Sequence, residues 1–409
     1  MSANQTSPAS FVRRTLAALL VLVSGVAAVN VRGSSADPQP PLPVPGLPAL
    51  PGLPALPSSP TEPTGPPGAL FGAYVQAPGD DHAVQMAAVR GREHDIGRRL
   101  AIDHHFYPWE KEFPTARERS DLRDGRIPMI SWNGKTLNLA IGLGQHDELI
   151  RTRARAVKAL GAKVLIRWMW EMDGRQKAEH TTHPAFYIAA WRHIHDVFAE
   201  EGATNVQWVW CPNATAFRTE DERNAPAYYP GDEYVDWICA DGYNWAPGRK
   251  GDQWRSFASI YQDFYDWGLA RNKPLMVGEY GAQERDPGEK ARWLTEAREA
   301  LKTKFQGIKA VVYFDSKKEY DWRVTSSPET LAAFRAMAND PWFTPDPNPL
   351  LDAASARPTL PGVPIPLSPL QFAPRTPPKA PSVPPEPPKA PEPPEAPELP
   401  SDPAPPDST

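Results

Sequence analysis

The sequence predicts one (β/α)8 TIM barrel, an α/β fold, set between two disordered proline-rich segments, and three observations carry that reading. First, the 51 prolines of this 409-residue chain crowd into 38–67 and again from about residue 345 to the end. Second, the stretch between them has ordinary globular composition and the length of a single such barrel, ample for a large core. Third, that stretch alternates short apolar runs with amphipathic ones. The apolar runs are 70–75, 100–106, 127–132, 163–170, 206–210, 235–240, 275–277 and 308–314. Runs buried on both faces suit a parallel sheet covered by helices. Segments such as 148–160, 184–200, 254–270 and 290–304 have the periodicity of those helices. The predicted division is 1–36, 37–68, 69–346 and 347–409.

Residues 1–36 read as a signal peptide. Arg13 and Arg14 precede the apolar run 16–29, and small residues follow at Ala27-Ala28 and Ser34-Ser35-Ala36. The arginine pair leaves a twin-arginine route open, and an uncleaved anchor is the alternative. The linker 37–68 repeats Pro-Gly-Leu-Pro-Ala-Leu, and the tail repeats units such as Pro-Pro-Lys-Ala-Pro. Such segments favour extended polyproline conformations and bury too little apolar surface to fold. They are expected to be spacers of a secreted or cell-envelope-associated monomer. The net charge is −5 and no Lys/Arg block occurs, so no nucleic-acid partner is expected. Two cysteines, Cys211 and Cys239, make no disulfide scaffold. They are expected to be separate buried thiols, the alternative being one bond between neighbouring strands.

The fourth run stops abruptly at Glu171, and in a parallel barrel the C-terminal strand ends carry the chemistry. An acid beside Trp168, Met169 and Trp170 should resist ionising, which suits a general acid. Glu279 follows the seventh run between Gly278 and Gly281, residues that let backbone crowd a ligand. Strands four and seven lie well apart around the barrel, so their two carboxyls can flank one bond. Arg167 precedes Glu171 by four residues, on the same side of the pleat. The other strand ends gather aromatic and polar groups: His105, Trp132, Trp210, Asn213, Tyr243, Trp245 and Trp322. Fourteen Trp and twelve Tyr suit sugar faces and ordinary cores equally, and Trp132, Trp210 and Trp245 stay open between the two. His104 and His105 are adjacent in a strand and point opposite ways, so no metal site is expected, although either can touch a sugar. His193 and His195 fall on different faces of a helix. The sequon Asn213-Ala214-Thr215 lies at a strand end and reads as part of the cleft. Neither a phosphate-binding glycine loop nor a Gly-x-Ser-x-Gly elbow occurs.

Two stretches resemble a known family. Arg167-Trp168-Met169-Trp170-Glu171-Met172-Asp173-Gly174 is similar to the acid/base motif of glycoside hydrolase family 26, a family of β-mannanases within the retaining (β/α)8 glycosidases. Lys273-Pro274-Leu275-Met276-Val277-Gly278-Glu279-Tyr280-Gly281 is similar to its nucleophile motif. The resemblance covers the barrel and neither proline-rich arm. It implies Glu171 as acid/base and Glu279 as nucleophile. It further implies a Tyr243 hydroxyl that holds the nucleophile, Trp322 as a platform under the sugar, Arg167 as a cation beside the nucleophile, and no cofactor. The implied activity is secreted, endo-acting, retaining hydrolysis of a β-linked polysaccharide, with β-1,4-mannan the first expectation. The family's mannanases usually carry His where Trp170 stands. That departure brings mixed-linkage β-glucan and β-xylan forward as alternative substrates, and a barrel that binds glycan without cleaving it as an alternative class.

Overall fold

Val, Ile, Leu and aromatic runs bounded by polar loops take extended backbone because both faces of each strand find apolar neighbours. In the computed structural model these runs are β1 (Leu70–Val75), β2 (Ile102–Tyr107), β3 (Ile127–Trp132), β4 (Val164–Trp168), β5 (Val206–Trp210), β6 (Trp237–Asn244), β7 (Leu275–Ala282) and β8 (Ile308–Asp315). Each pairs in parallel with the next and β8 pairs with β1, closing a barrel of eight. The expected (β/α)8 architecture is therefore the observed one. The helices are α1 (His82–Ile96), α2 (Ala116–Arg123), α3 (Asn138–Gly142), α4 (Asp147–Lys158), α5 (Pro184–Glu200), α6 (Phe257–Leu269), α7 (Glu289–Thr303), α8 (Pro328–Ala338) and α9 (Pro347–Ser355). The structure describes residues 65–134, 138–174, 183–221 and 223–355. The leader, most of the linker and the tail beyond residue 355 lie outside the described residues.

Strand residues alternate between two cores. One set, including Phe71, Ile130, Ile166 and Val277, meets the helices outside the barrel. The other fills the barrel: Leu70, Ile102, Met129, Leu165, Val209, Trp237, Met276 and Val312. The interior set also contains Cys211 and Cys239. They face each other from adjacent strands in register, with Cα atoms 4.3 Å apart, and are joined as a disulfide. The expectation of separate thiols is corrected by parity: both side chains point inward from neighbouring strands.

The boundary at 346 is also corrected. Pro347 opens α9, a position where its missing N–H costs nothing. Leu350, Leu351 and Ala354 of that helix pack into the interior cluster. The Gln207 side-chain amide donates to the Leu351 carbonyl and to Ser355 Oγ (2.8 Å). The helix thus seals the end of the barrel where the strands begin, and the fold runs to Ser355.

Candidate active site

At the opposite end the interior turns from apolar to charged. Arg167 projects inward from β4, fully buried, and all three guanidinium nitrogens are engaged. Nε donates to Ser131 Oγ (2.7 Å) and Nη1 donates to both oxygens of Asp241 (2.8 and 2.6 Å). Nη2 donates to Glu279 Oε1 and lies 3.2 Å from His104 Nε2. Burial, followed by the Arg167 cation, holds the His104 pKa well below the usual imidazole range.

Glu279 reaches this site through a β-bulge. The β6–β7 register passes from Ala240↔Val277 to Asp241↔Glu279, leaving Gly278 unmatched and turning Glu279 to the mouth of the barrel. Position 278 admits only glycine. An added Cβ would lie 2.5 Å from Cys239 Sγ, 2.8 Å from Asp241 Oδ1 and 2.9 Å from Cys211 Sγ. The second Glu279 oxygen accepts from the Tyr243 hydroxyl at 2.5 Å. Burial and the Glu279 charge push the Tyr243 phenol well above its ordinary pKa, so it stays a donor.

Glu171 stands three residues beyond the end of β4, in left-handed backbone (φ 52°). Its N–H donates to the Cys211 carbonyl at 2.7 Å. Met169 is also left-handed (φ 46°), so the chain leaves strand geometry two residues earlier than the apolar run suggests. Trp168 stacks on Tyr187 of α5 (5.3 Å) outside the barrel. Trp170 is half-buried between the Phe106 ring (5.2 Å) and the Arg167 guanidinium (5.2 Å).

Glu171 and Glu279 line one cleft of about 690 Å³, together with Tyr243, Trp245, Trp322 and Asn213. Trp322 packs on Tyr243 (4.7 Å) and Trp245 (5.0 Å). Asn213 is oriented by Asp173, which accepts from its backbone N–H (2.9 Å) and its side-chain amide (3.0 Å).

Three expected cleft residues lie elsewhere. His105 points out of the barrel to α2, where its Nε2 is 2.7 Å from Asp121. Trp132 is buried outside the strands, stacked on Trp109 at 4.3 Å. Trp210 is buried among Tyr229 and Trp267. The reason is the same for all three: each is the outward neighbour of an inward residue, His104, Ser131 and Cys211 respectively. Asp241 and Ser131, which fix Arg167, and the half-buried aromatics Tyr74, Phe106 and Phe314 at the mouth also stand at strand ends, where the sequence alone assigns them no individual role. Steps of two from the interior residues Leu70, Ile102, Met129, Trp237 and Val312 reach Tyr74, Phe106, Ser131, Asp241 and Phe314.

Among the described residues, two clusters hold metal-ligand types close together. In Cys211, Cys239 and Asp241 the sulfurs are bonded to each other. In Asp103, His105 and Asp121 the carboxylates already bind Arg117 (3.2 Å) and Arg126 (3.3 Å). Neither presents a free set of donors to a cation.

Residues 144–275, which carry Arg167, Glu171, Asp241 and Tyr243, match the family model "Glycosyl hydrolase family 26". The resemblance to this family thus extends over that segment of the barrel, which ends before Glu279. Among its curated relatives, Endoglucanase H of Acetivibrio thermocellus is 36% identical over 259 residues, covering 61% of this chain and 28% of that protein. Beta-1,3-xylanase TXYA of a Vibrio species is 28% identical over 160 residues, covering 38% and 30%. The chain thus spans less than a third of the length of these two relatives. The catalytic domain of the Bacillus sp. JAMB-750 GH26 endo-β-1,4-mannanase is 17% identical, with a TM-score of 0.51 over 70% of this chain and 89% of that one. That likeness is one of fold.

Proposed function

We propose that this protein is an exported, retaining, endo-acting β-glycoside hydrolase that cleaves a β-linked polysaccharide with Glu171 and Glu279. The observation that carries the reading is one cleft bearing both acids. Glu279 accepts from Arg167 and Tyr243, and Trp322 offers an apolar face beside it. Donors on both oxygens suit an ionised carboxylate, the form a nucleophile needs. A Glu279 oxygen attacks the anomeric carbon as Glu171 gives its proton to the departing glycosidic oxygen. A glycosyl ester forms. Water then attacks the same carbon, Glu171 takes the water's proton, and Glu279 leaves as carboxylate with the anomeric configuration retained.

For the backbone of the polymer we place a gluco-configured chain, mixed-linkage β-glucan or β-1,4-glucan, ahead of mannan. Trp170, packed on the Phe106 ring next to Glu171, carries an aromatic side chain where the family's mannanases usually carry His, and the endoglucanase relative supports the same choice.

The test is reducing-sugar release by the full chain from mixed-linkage glucan, β-1,4-glucan, mannan and β-xylan, beside Glu171→Ala and Glu279→Ala. The expected result is turnover of a glucan that falls by about a thousandfold or more in each variant, ~4 kcal/mol of transition-state stabilisation. Turnover that survives either substitution refutes the assignment of that carboxylate. Binding without turnover moves the protein to the glycan-binding class.

A further inference from the structure

Lys290, in the first turn of α7, is buried, and its ammonium meets no carboxylate within ion-pair distance among the described residues. It donates instead to the Asp321 carbonyl (3.1 Å), the Arg323 carbonyl (2.7 Å) and Ser326 Oγ (3.1 Å). Those two carbonyls flank Trp322. The Trp322 carbonyl is itself held by the Tyr313 hydroxyl at 2.7 Å, and its N–H donates to the Ser316 carbonyl at 2.9 Å. Three successive carbonyls of the β8–α8 loop are therefore taken by two buried side chains. Asp321 and Arg323 also pair with each other (2.6 Å). The ring so placed closes on the Tyr243–Glu279 pair. Gly281 lets it approach, since a Cβ there would lie 3.1 Å from the indole. Burial lowers the lysine's pKa to about 8, opposed by the charges of Asp321, Asp315 and Glu284 and reinforced by Arg323, so the group is still an ammonium at neutral pH. A charge kept in so costly a place, with three neutral acceptors arranged round it, is set to fix a loop rather than fill a gap.

We propose that Lys290 is a positioning residue for the sugar cleft: through the carbonyls on either side of Trp322 it holds that indole against Tyr243 and Trp245. The inference rests on the glycosidase reading for its effect on turnover, but not for its effect on the loop.

The experiment compares the full chain with Lys290→Met, Trp322→Ala and the double variant on the polymer turned over best. Lys290→Met should raise KM about fivefold and change kcat less than twofold, because a loosened platform weakens sugar binding in ground and transition states alike. The same substitution should add nothing in the Trp322→Ala background. Additive losses, or a loss confined to kcat, overturn the proposal. If Lys290→Met does not fold, Ser326→Ala removes one acceptor of the three and enters the same cycle, with the same outcomes for and against. If no polymer is turned over, amide exchange of residues 316–327 decides without substrate. Exchange at least about tenfold faster in the variant, confined to that segment, supports the proposal. Unchanged exchange overturns it.

Discussion

Replacing Arg167 by Met tests the centre of the site most sharply. The side chain is fully buried, and its removal takes the cation from two buried carboxylates at once, Asp241 at 1% exposure and Glu279 at 5%. Breaking a buried ion pair costs about 3–5 kcal/mol because the remaining charge has no partner. With two acids losing one shared cation, the upper part of that range is expected, about 4–5 kcal/mol. For a domain near this size each kcal/mol moves the melting midpoint by about 2–4 °C, so thermal unfolding followed by circular dichroism should begin about 8–20 °C lower. Arg167→Lys should recover little, since one ammonium cannot serve Ser131, Asp241 and Glu279 in three directions. A variant that melts within about 2 °C of the parent would refute this account of the site.

Tyr243→Phe removes one hydrogen bond to a charged oxygen and leaves the ring in place. A loss of about 1.5–3 kcal/mol, roughly ten- to a hundredfold in kcat/KM with the fold intact by circular dichroism, is expected. Gly278→Ala drives a methyl into the Cys211–Cys239 sulfurs, and denaturant titration should show at least about 1–3 kcal/mol lost. Truncation after residue 346 removes Leu350 and Leu351 from the floor of the barrel. At about 1.5–3 kcal/mol per buried leucine, the midpoint should fall by about 10 °C, and an unchanged melt would mean α9 adds nothing.

The strands were legible because each is an apolar run between polar loops. Predicted and observed limits coincide for β1, β3 and β5. β6 and β7 run farther than expected because their last residues are the polar ones that enter the site, and a run judged by hydrophobicity stops before them. Composition likewise concealed α9, whose two prolines match the tail that follows, while Leu350, Leu351 and Ala354 mark a buried face. Both glutamates were legible from motif and position. The misplaced residues, His105, Trp132 and Trp210, show that a strand end does not specify a cleft residue until its parity is known. Counting along β4 itself would have failed beyond Trp168, where left-handed backbone at Met169 and Glu171 breaks the alternation.

The sealed floor bears on where an attachment to the barrel would lie. The described chain reaches the barrel at residues 65–68, where Gly65 lies against Ala353 and Gly68 against Pro345, and Lys309 donates to the Pro66 carbonyl at 2.7 Å. It departs at Ser355, beside Lys163 at the start of β4. Both points are on the pole where the strands begin, and the cleft is on the other. A tether through either arm would act like a stalk under a cup, leaving the rim to meet an insoluble or bulky polymer head-on. Fusions, tags or surface linkages added at either end would inherit that orientation.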